Sequence, residues 1–239
     1  MVFYVYLHGF ASTPHSSKAQ RLSDRFRSVG LPLTIPDLNQ DDFAHLSLSR
    51  QLQQVEALLP PPPSPVVVIG SSFGGLTAAW LGDRHPQIER VVLLAPAFGF
   101  LDHWLARLGA DQIQQWQQTG FFSVYHYGQQ QQVPLHYGFI ADAARYGDQQ
   151  LQRPIPTLIV HGIHDDVVPI QASQIYAAQR SWVELIELDS DHALTDQHDQ
   201  IWAAVQDFCR LPTSPITVSY THLRAHETKA NLVCRLLLE

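Results

Sequence analysis

Cysteine is nearly absent from this 239-residue chain, which has only Cys209 and Cys234. Two thiols cannot build a disulfide-stapled secreted fold, so a reducing compartment, the cytoplasm by default, is expected. Positive charge is also scarce: 15 Lys and Arg stand against 22 Asp and Glu, for a net charge of −7. No basic block and no basic stripe interleaved with aromatics offsets this, which argues against nucleic acid as a partner. Long apolar runs are missing as well. The start, MVFYVYLHGF, is too short to span a bilayer and lacks the basic flank and small-residue cleavage site of an export signal. It reads as a first strand, and no membrane span is expected.

What is present is enough apolar material, 45% of residues, to fill a sizeable core in one large α/β domain or two small ones. The rest is organised around residues 66–79, VVVIGSSFGGLTAA. A β-branched apolar run, then Gly-Ser-Ser-Phe-Gly-Gly, then helix-favouring residues predict a buried parallel strand, a very tight turn and a helix, with Ser72 at the apex. Gly70 and Gly74 flank Ser72 where side chains would obstruct a sharp reversal. Ser72 then stands beside the helix N-terminus, whose unpaired N–H groups can stabilise a developing oxyanion. A plain N-cap role for Ser71 and Ser72, with the glycines kept for close helix packing, is the alternative at this point.

Along the chain, strand and helix signals alternate. Residues 2–7 form a strand ending in His8-Gly9-Phe10, and Ser16 or Ser17 caps a helix running to Gly30 with Leu22, Phe26 and Val29 inward. A short strand, LTIP, follows, then an amphipathic helix near residues 44–59 that Pro60 to Pro63 must end. After the strand IERVVLLAPAF comes an aromatic, Gln-rich stretch, Gly99 to Arg153, in which FFSVYHY and VPLHYGFI around GQQQQ suit a hairpin. Strand 154–161, helix 170–180, strand 183–188 and helix 196–209 complete the pattern. The expected fold is α/β: a mostly parallel central sheet with helices on both faces, and a small aromatic-rich cap (about 99–153) over the strands' carboxyl ends, where ligands bind in open α/β sheets.

Two later stretches offer partners for Ser72. LIVHGIHDDVVP places Asp165 just after a strand, and DSDHALTD places His192 after the last one. Ser71 rivals Ser72, Asp166 rivals Asp165, and His198 neighbours His192 on a helix; Asp189 and Asp191 shape the loop. His161, His164 and Asp165 admit a metal-site reading, which we rank well below a strand end and turn.

In chain order YLHGF, GSSFGG, HGxxDxxVP and DxDH resemble the α/β-hydrolase esterases. YLHGFASTPHSSKA and PLHYGFIADAARY resemble most the small bacterial YqiA-like esterase family, over roughly residues 2–211. The resemblance implies Ser72 as nucleophile, His192 as general base and then acid, and Asp165 as the group that orients His192. It also implies an oxyanion hole made by the backbone N–H groups of Phe10 and Phe73. The implied activity is hydrolysis of a small-molecule carboxylic ester or acyl thioester through an acyl-serine, with no cofactor and no metal. Amidase or C–C hydrolase chemistry on the same residues, or a non-catalytic binding role, are the alternatives. Within the cap, Phe122, Tyr125, Tyr137 and Phe139 are expected to face the triad and bind an apolar acyl or alcohol group.

From about Thr213 the periodicity stops, and PITVSYTHLRAHETKANLVCRLLLE resembles a translated cloning or sequencing adapter. The hydrolase domain is therefore expected at residues 1–212, with 213–239 a non-native tail. Without that tail the net charge is −8, since Arg224, Lys229 and Arg235 outnumber Glu227 and Glu239 by one.

Overall fold

The computed structural model describes residues 1–213, so the tail expectation lies almost wholly outside the described residues. The strands are β1 (Phe3–Leu7), β2 (Val66–Ser71), β3 (Ile88–Leu94), β4 (Phe121–His126), β5 (Gln131–His136), β6 (Thr157–Gly162) and β7 (Val183–Leu188). The helices are α1 (Ser17–Ser28), α2 (Leu48–Glu56), α3 (Phe73–Arg84), α4 (Phe100–Leu108), α5 (Ala110–Thr119), α6 (Gly138–Ala143), α7 (Ile170–Ala178) and α8 (His198–Cys209). Five strands form one parallel sheet in the order β1-β2-β3-β6-β7, while β4 and β5 pair separately as an antiparallel hairpin. Among the described residues no helix is long and apolar enough to cross a membrane.

Alternation divides the strand side chains between two layers. Val5, Leu7, Val66, Val68, Val91, Leu93 and Ile159 pack with α2, α3 and the insertion on one face. Tyr4, Tyr6, Val67, Ile69, Val92, Leu94 and Val160 pack with α1 and α8 on the other. Burial on both faces is why β2 reads as an unbroken apolar run.

Two elements differ from the sequence expectation. The LTIP strand is reduced to a single bridge, in which Thr34 bonds Tyr4 O (2.9 Å) and Tyr6 N (2.8 Å). The next bonding positions on that edge are Pro32 and Pro36, which have no N–H to give. The helix expected from residue 44 starts at Leu48, because the Ser47 side chain accepts the Arg50 N–H and caps it there; Phe43–His45 forms a separate 3₁₀ turn.

Thr34 flanks β1 on one side and β2 on the other, so the direction of sheet growth reverses between them. The crevice outside the carboxyl ends of β1 and β2 is thus the switch point of the sheet, where α/β folds place ligands.

Candidate active site

The turn from β2 into α3 is as tight as the glycine spacing requires. A Cβ on Gly70 would lie 2.2 Å from Gly74 O, and one on Gly74 would lie 2.3 Å from Leu7 O and 2.4 Å from His8 O. Ser72, between them, is held at φ 53° and ψ −118°, a conformation that costs a non-glycine residue about 1–3 kcal/mol. Bonds to neighbouring strands and loops hold it there: Ser72 N–H donates to Leu94 O (2.9 Å), and Ser72 O accepts from Ala97 N–H (3.1 Å).

Three loops converge on this turn. His192, in the loop after β7, puts Nε2 3.1 Å from Ser72 Oγ and Nδ1 2.7 Å from Asp165 Oδ2. A carboxylate only accepts, so Nδ1 carries the proton and Nε2 is left to accept from the Ser72 hydroxyl. Asp165 itself is saturated. Its Oδ1 accepts the N–H groups of Val167 (2.9 Å) and Val168 (2.8 Å), and its Oδ2 accepts from His192 and from His161 Nε2 (3.0 Å). Burial favours the neutral acid here, but the bonds from His161, His192 and the Val168 N–H outweigh it and hold the Asp165 carboxyl well below the usual carboxylate range. The Asp165 side chain is 0% exposed, whereas that of His192 is 22% exposed.

His161, which the sequence presents as a strand end, has a further role. Its Nδ1 meets Ser173 Oγ (2.8 Å) while Nε2–H is shared between Asp165 and Val168 O (3.0 Å), so both nitrogens are used in fixing the Asp165 loop. The signal was the i, i+4 spacing of a β6 histidine from the carboxylate. His164 instead pairs with Asp189 at the surface, and among the described residues no group of three or more His, Cys, Asp or Glu side chains is disposed to hold a metal ion.

The rivals stand elsewhere. Ser71 is turned toward α1, where its Oγ accepts from Lys18 Nζ (2.9 Å). Asp166 is exposed, and its backbone carbonyl accepts from Arg107 Nη1 (3.1 Å). Asp191 accepts the N–H groups of Ala193 (2.9 Å) and Leu194 (3.1 Å) and so shapes the His192 loop.

The loop after β1 lies against the turn, since a Cβ on Gly9 would be 3.3 Å from both Ser71 O and Ser72 Cβ. Among the described residues neither Phe10 N–H nor Phe73 N–H has an acceptor. Buried His8 fixes this loop: its Nδ1–H donates to Gly9 O (3.0 Å) and its Nε2 accepts Leu38 N–H (3.0 Å), and burial pulls its pKa down. The Gly9 carbonyl is thereby turned to His8, and across a trans peptide the Phe10 N–H points the opposite way.

Of the four aromatics expected to line a pocket, Phe139 is nearest the turn, buried with its ring 5.3 Å from Phe73 and 5.5 Å from Phe10. Phe122 and Tyr137 are one layer further out, against Trp116 (5.1 and 5.8 Å), which touches Trp104. Tyr125 is a correction. It is 44% exposed on the outer face of the β4–β5 hairpin, against Tyr127, because residues at odd separation on a strand face opposite sides and Phe122 has the inner one. Sequence reasoning missed Phe100 and Trp104, which stack one helical turn apart on Phe73, Phe10 and Phe139. Their i, i+4 spacing was the available signal.

A family model for UPF0227, an uncharacterised protein family, matches residues 3–209. The chain belongs to that family. No curated protein sequence matches this UPF0227 chain significantly. Solved structures that resemble it include the alpha/beta hydrolase domain-containing protein 10 from mouse, at 18% identity over 87% of this chain and 89% of that one with a TM-score of 0.74. Est1E from Butyrivibrio proteoclasticus, solved with ferulic acid bound, is 18% identical over 88% of each chain, also at 0.74. GrgF, an alpha/beta hydrolase from Penicillium sp. sh18, is 12% identical over 87% of this chain and 89% of that one, at 0.67. The fold of this UPF0227 chain is that of the α/β-hydrolases.

Proposed function

We propose that the chain is a serine hydrolase that cleaves a small-molecule carboxylic ester or acyl thioester through an acyl-Ser72 intermediate. The observation that carries this reading is the unbroken path from Ser72 Oγ through the His192 ring to the buried Asp165, at 3.1 and 2.7 Å. A serine hydroxyl is a poor nucleophile until a positioned base takes its proton. His192 Nε2 takes that proton as Oγ attacks the acyl carbon, and the imidazolium so formed lies against a carboxylate that is ionised throughout the neutral range. The carbonyl oxygen becomes an oxyanion, received by the free N–H groups of Phe10 and Phe73, the latter at the positive end of α3.

Collapse of this intermediate breaks the bond to the leaving group, which His192 Nε2–H protonates, and leaves the acyl group on Ser72. Water then attacks with Nε2 again acting as base, and the carboxylic acid departs. The rings of Phe10, Phe73, Phe139 and Trp104 form an apolar wall beside the reacting atoms and favour an apolar acyl or alcohol group.

Hydrolysis of p-nitrophenyl esters from acetate to palmitate by the wild type and by Ser72→Ala tests the reading. The wild type should turn over at least one ester, and Ser72→Ala should lower kcat by about 10⁴-fold or more. An inert wild type, or a Ser72→Ala protein as active as the wild type, overturns it.

A further inference from the structure

A second concavity lies on the other side of the sheet, between α1 and the N-terminal half of α8. It encloses about 240 Å³ and is lined by Lys18, Arg21, Asp24, Arg25, His198 and Trp202, among others. Its lining carboxylate, Asp24, bonds Arg27 (2.6 Å), and Asp199 nearby bonds Arg25; Asp165 and Asp191 act on Lys18, and Asp196 on His198, from further off. Among the described residues no carboxylate lies within ion-pair distance of Lys18 or Arg21, and the hydrogen bond of the Lys18 ammonium goes to the neutral Ser71 hydroxyl.

In the lining itself three basic side chains, Lys18, Arg21 and Arg25, stand against one carboxylate, Asp24, in a chain whose net charge is −7. Burial pulls the Lys18 pKa down to about 8, although Asp165 and Asp191 act against it. His198 is lowered as well, first by burial and then by Arg21 and Lys18, with Asp199 and Asp196 opposing, so the three basic groups lie within one another's fields. Both helices add the positive ends of their dipoles, and each is 12 residues long. An anion between them relieves this repulsion. A bare phosphate leaves room in a cavity of this size, and the remaining wall is apolar: Leu22, Ile201 and Trp202.

We propose that the pocket between α1 and α8 is a binding site for a phosphate monoester, with Arg21, Lys18 and His198 on the phosphate and the organic part against Trp202. A dianion suits this site better than a carboxylate, because a planar guanidinium, an ammonium and an imidazole can each take a separate phosphate oxygen. The site is also connected to the elbow. Lys18 Nζ is 2.9 Å from Ser71 Oγ, and Ser71 directly precedes Ser72.

The test is titration of the full chain with sn-glycerol 3-phosphate and with inorganic phosphate by calorimetry, at ionic strength held constant with sodium chloride. Saturable one-to-one binding is expected, tighter for the monoester. Arg21→Glu, at an exposed position remote from the elbow, should weaken it at least about tenfold, and Arg21→Lys by less. Ser72→Ala should bind as the wild type does, so this result stands or falls separately from the hydrolase reading. Binding by Arg21→Glu equal to that of the wild type, or no response beyond that of chloride, overturns the site. Glycerol phosphate binding no tighter than inorganic phosphate overturns the monoester assignment.

Discussion

The elbow and the aromatic insertion meet where Phe10 and Phe73 pack on Phe139, Phe100 and Trp104, and they are held by opposite kinds of force. At the elbow every contact has a direction: Asp165 accepts four hydrogen bonds, His192 is aligned by one of them, and the glycines leave less than a methyl group of space. In the insertion α4 has no fully buried residue, and its rings meet Phe10, Phe73 and Phe139 in tilted and edge-on packings near 5–6 Å. Polar pins act mainly near its ends, where Asp148 accepts Gly99 N–H (2.7 Å) and Asp142 accepts Ser49 N–H (2.9 Å). Directional bonds locate reacting atoms to fractions of an ångström, whereas apolar packing defines only the volume a substrate can occupy. Changes at the elbow should therefore act on kcat, and changes in the insertion on KM and chain-length preference.

The largest effect expected is that of Asp165→Asn. The amide keeps the shape but cannot accept from all four donors, and it admits the wrong imidazole tautomer. A loss of about 10⁴-fold in kcat should follow with p-nitrophenyl acetate. A loss below tenfold would mean that His192 is oriented by something else and would remove the basis of the comparison.

On the insertion side, Phe139→Ala should cost about 3–5 kcal/mol of folding stability in denaturant melts, since the ring is buried among four others. The milder Phe139→Leu separates packing from catalysis: KM for octanoate should rise several-fold more than KM for acetate, with kcat little changed. Equal changes for both esters would put Phe139 in the core alone.

Much of the crevice was legible beforehand, and the lapses have physical causes. Gly70 and Gly74 announce the reversal because a Cβ at either position collides with backbone, and the order of Ser72, Asp165 and His192 follows from strand ends that apolar runs mark clearly. What failed was parity and pairing. Phe122 and Tyr125 are three apart on one strand and cannot share a face, a constraint that aromatic composition alone conceals. The LTIP run has the composition of a strand, but Pro32 and Pro36 remove the donors it would need. The role of His161 in fixing the Asp165 loop shows in the sequence only as a four-residue separation, because the contact is made by the return of that loop over β6.

A smaller effect should separate the two regions by pH. Burial pushes the Asp148 carboxyl up to about 6, with Asp102 in the same direction and Gly99 N–H and Arg180 opposing. Between that value and about 3.9, the unfolded one, the folded state binds more protons. This group's contribution to stability therefore grows as pH falls through 6. Asp165 has the opposite sign: its contribution is present above the unfolded value and is lost only as pH falls well below it. Asp148→Asn keeps an acceptor for Gly99 N–H. Its melting temperature relative to the wild type should be highest at neutral pH and decline between pH 6 and 4. A pH-independent difference would remove Asp148 from the insertion's charge balance.

The smallest effect is expected at Tyr125, and that smallness is informative. Its ring is 44% exposed and packs on Tyr127, which is itself 72% exposed, so neither lies between substrate and core. Tyr125→Ser should change stability by no more than about 0.5 kcal/mol. It should also leave the chain-length profile of the p-nitrophenyl esters where Phe139→Leu does not. If Tyr125→Ser instead shifts KM for long acyl chains, the outer face of the hairpin must reach the substrate. The insertion would then act as a moving arm over the crevice, and the contrast with the fixed elbow would become one of motion as well as of bonding.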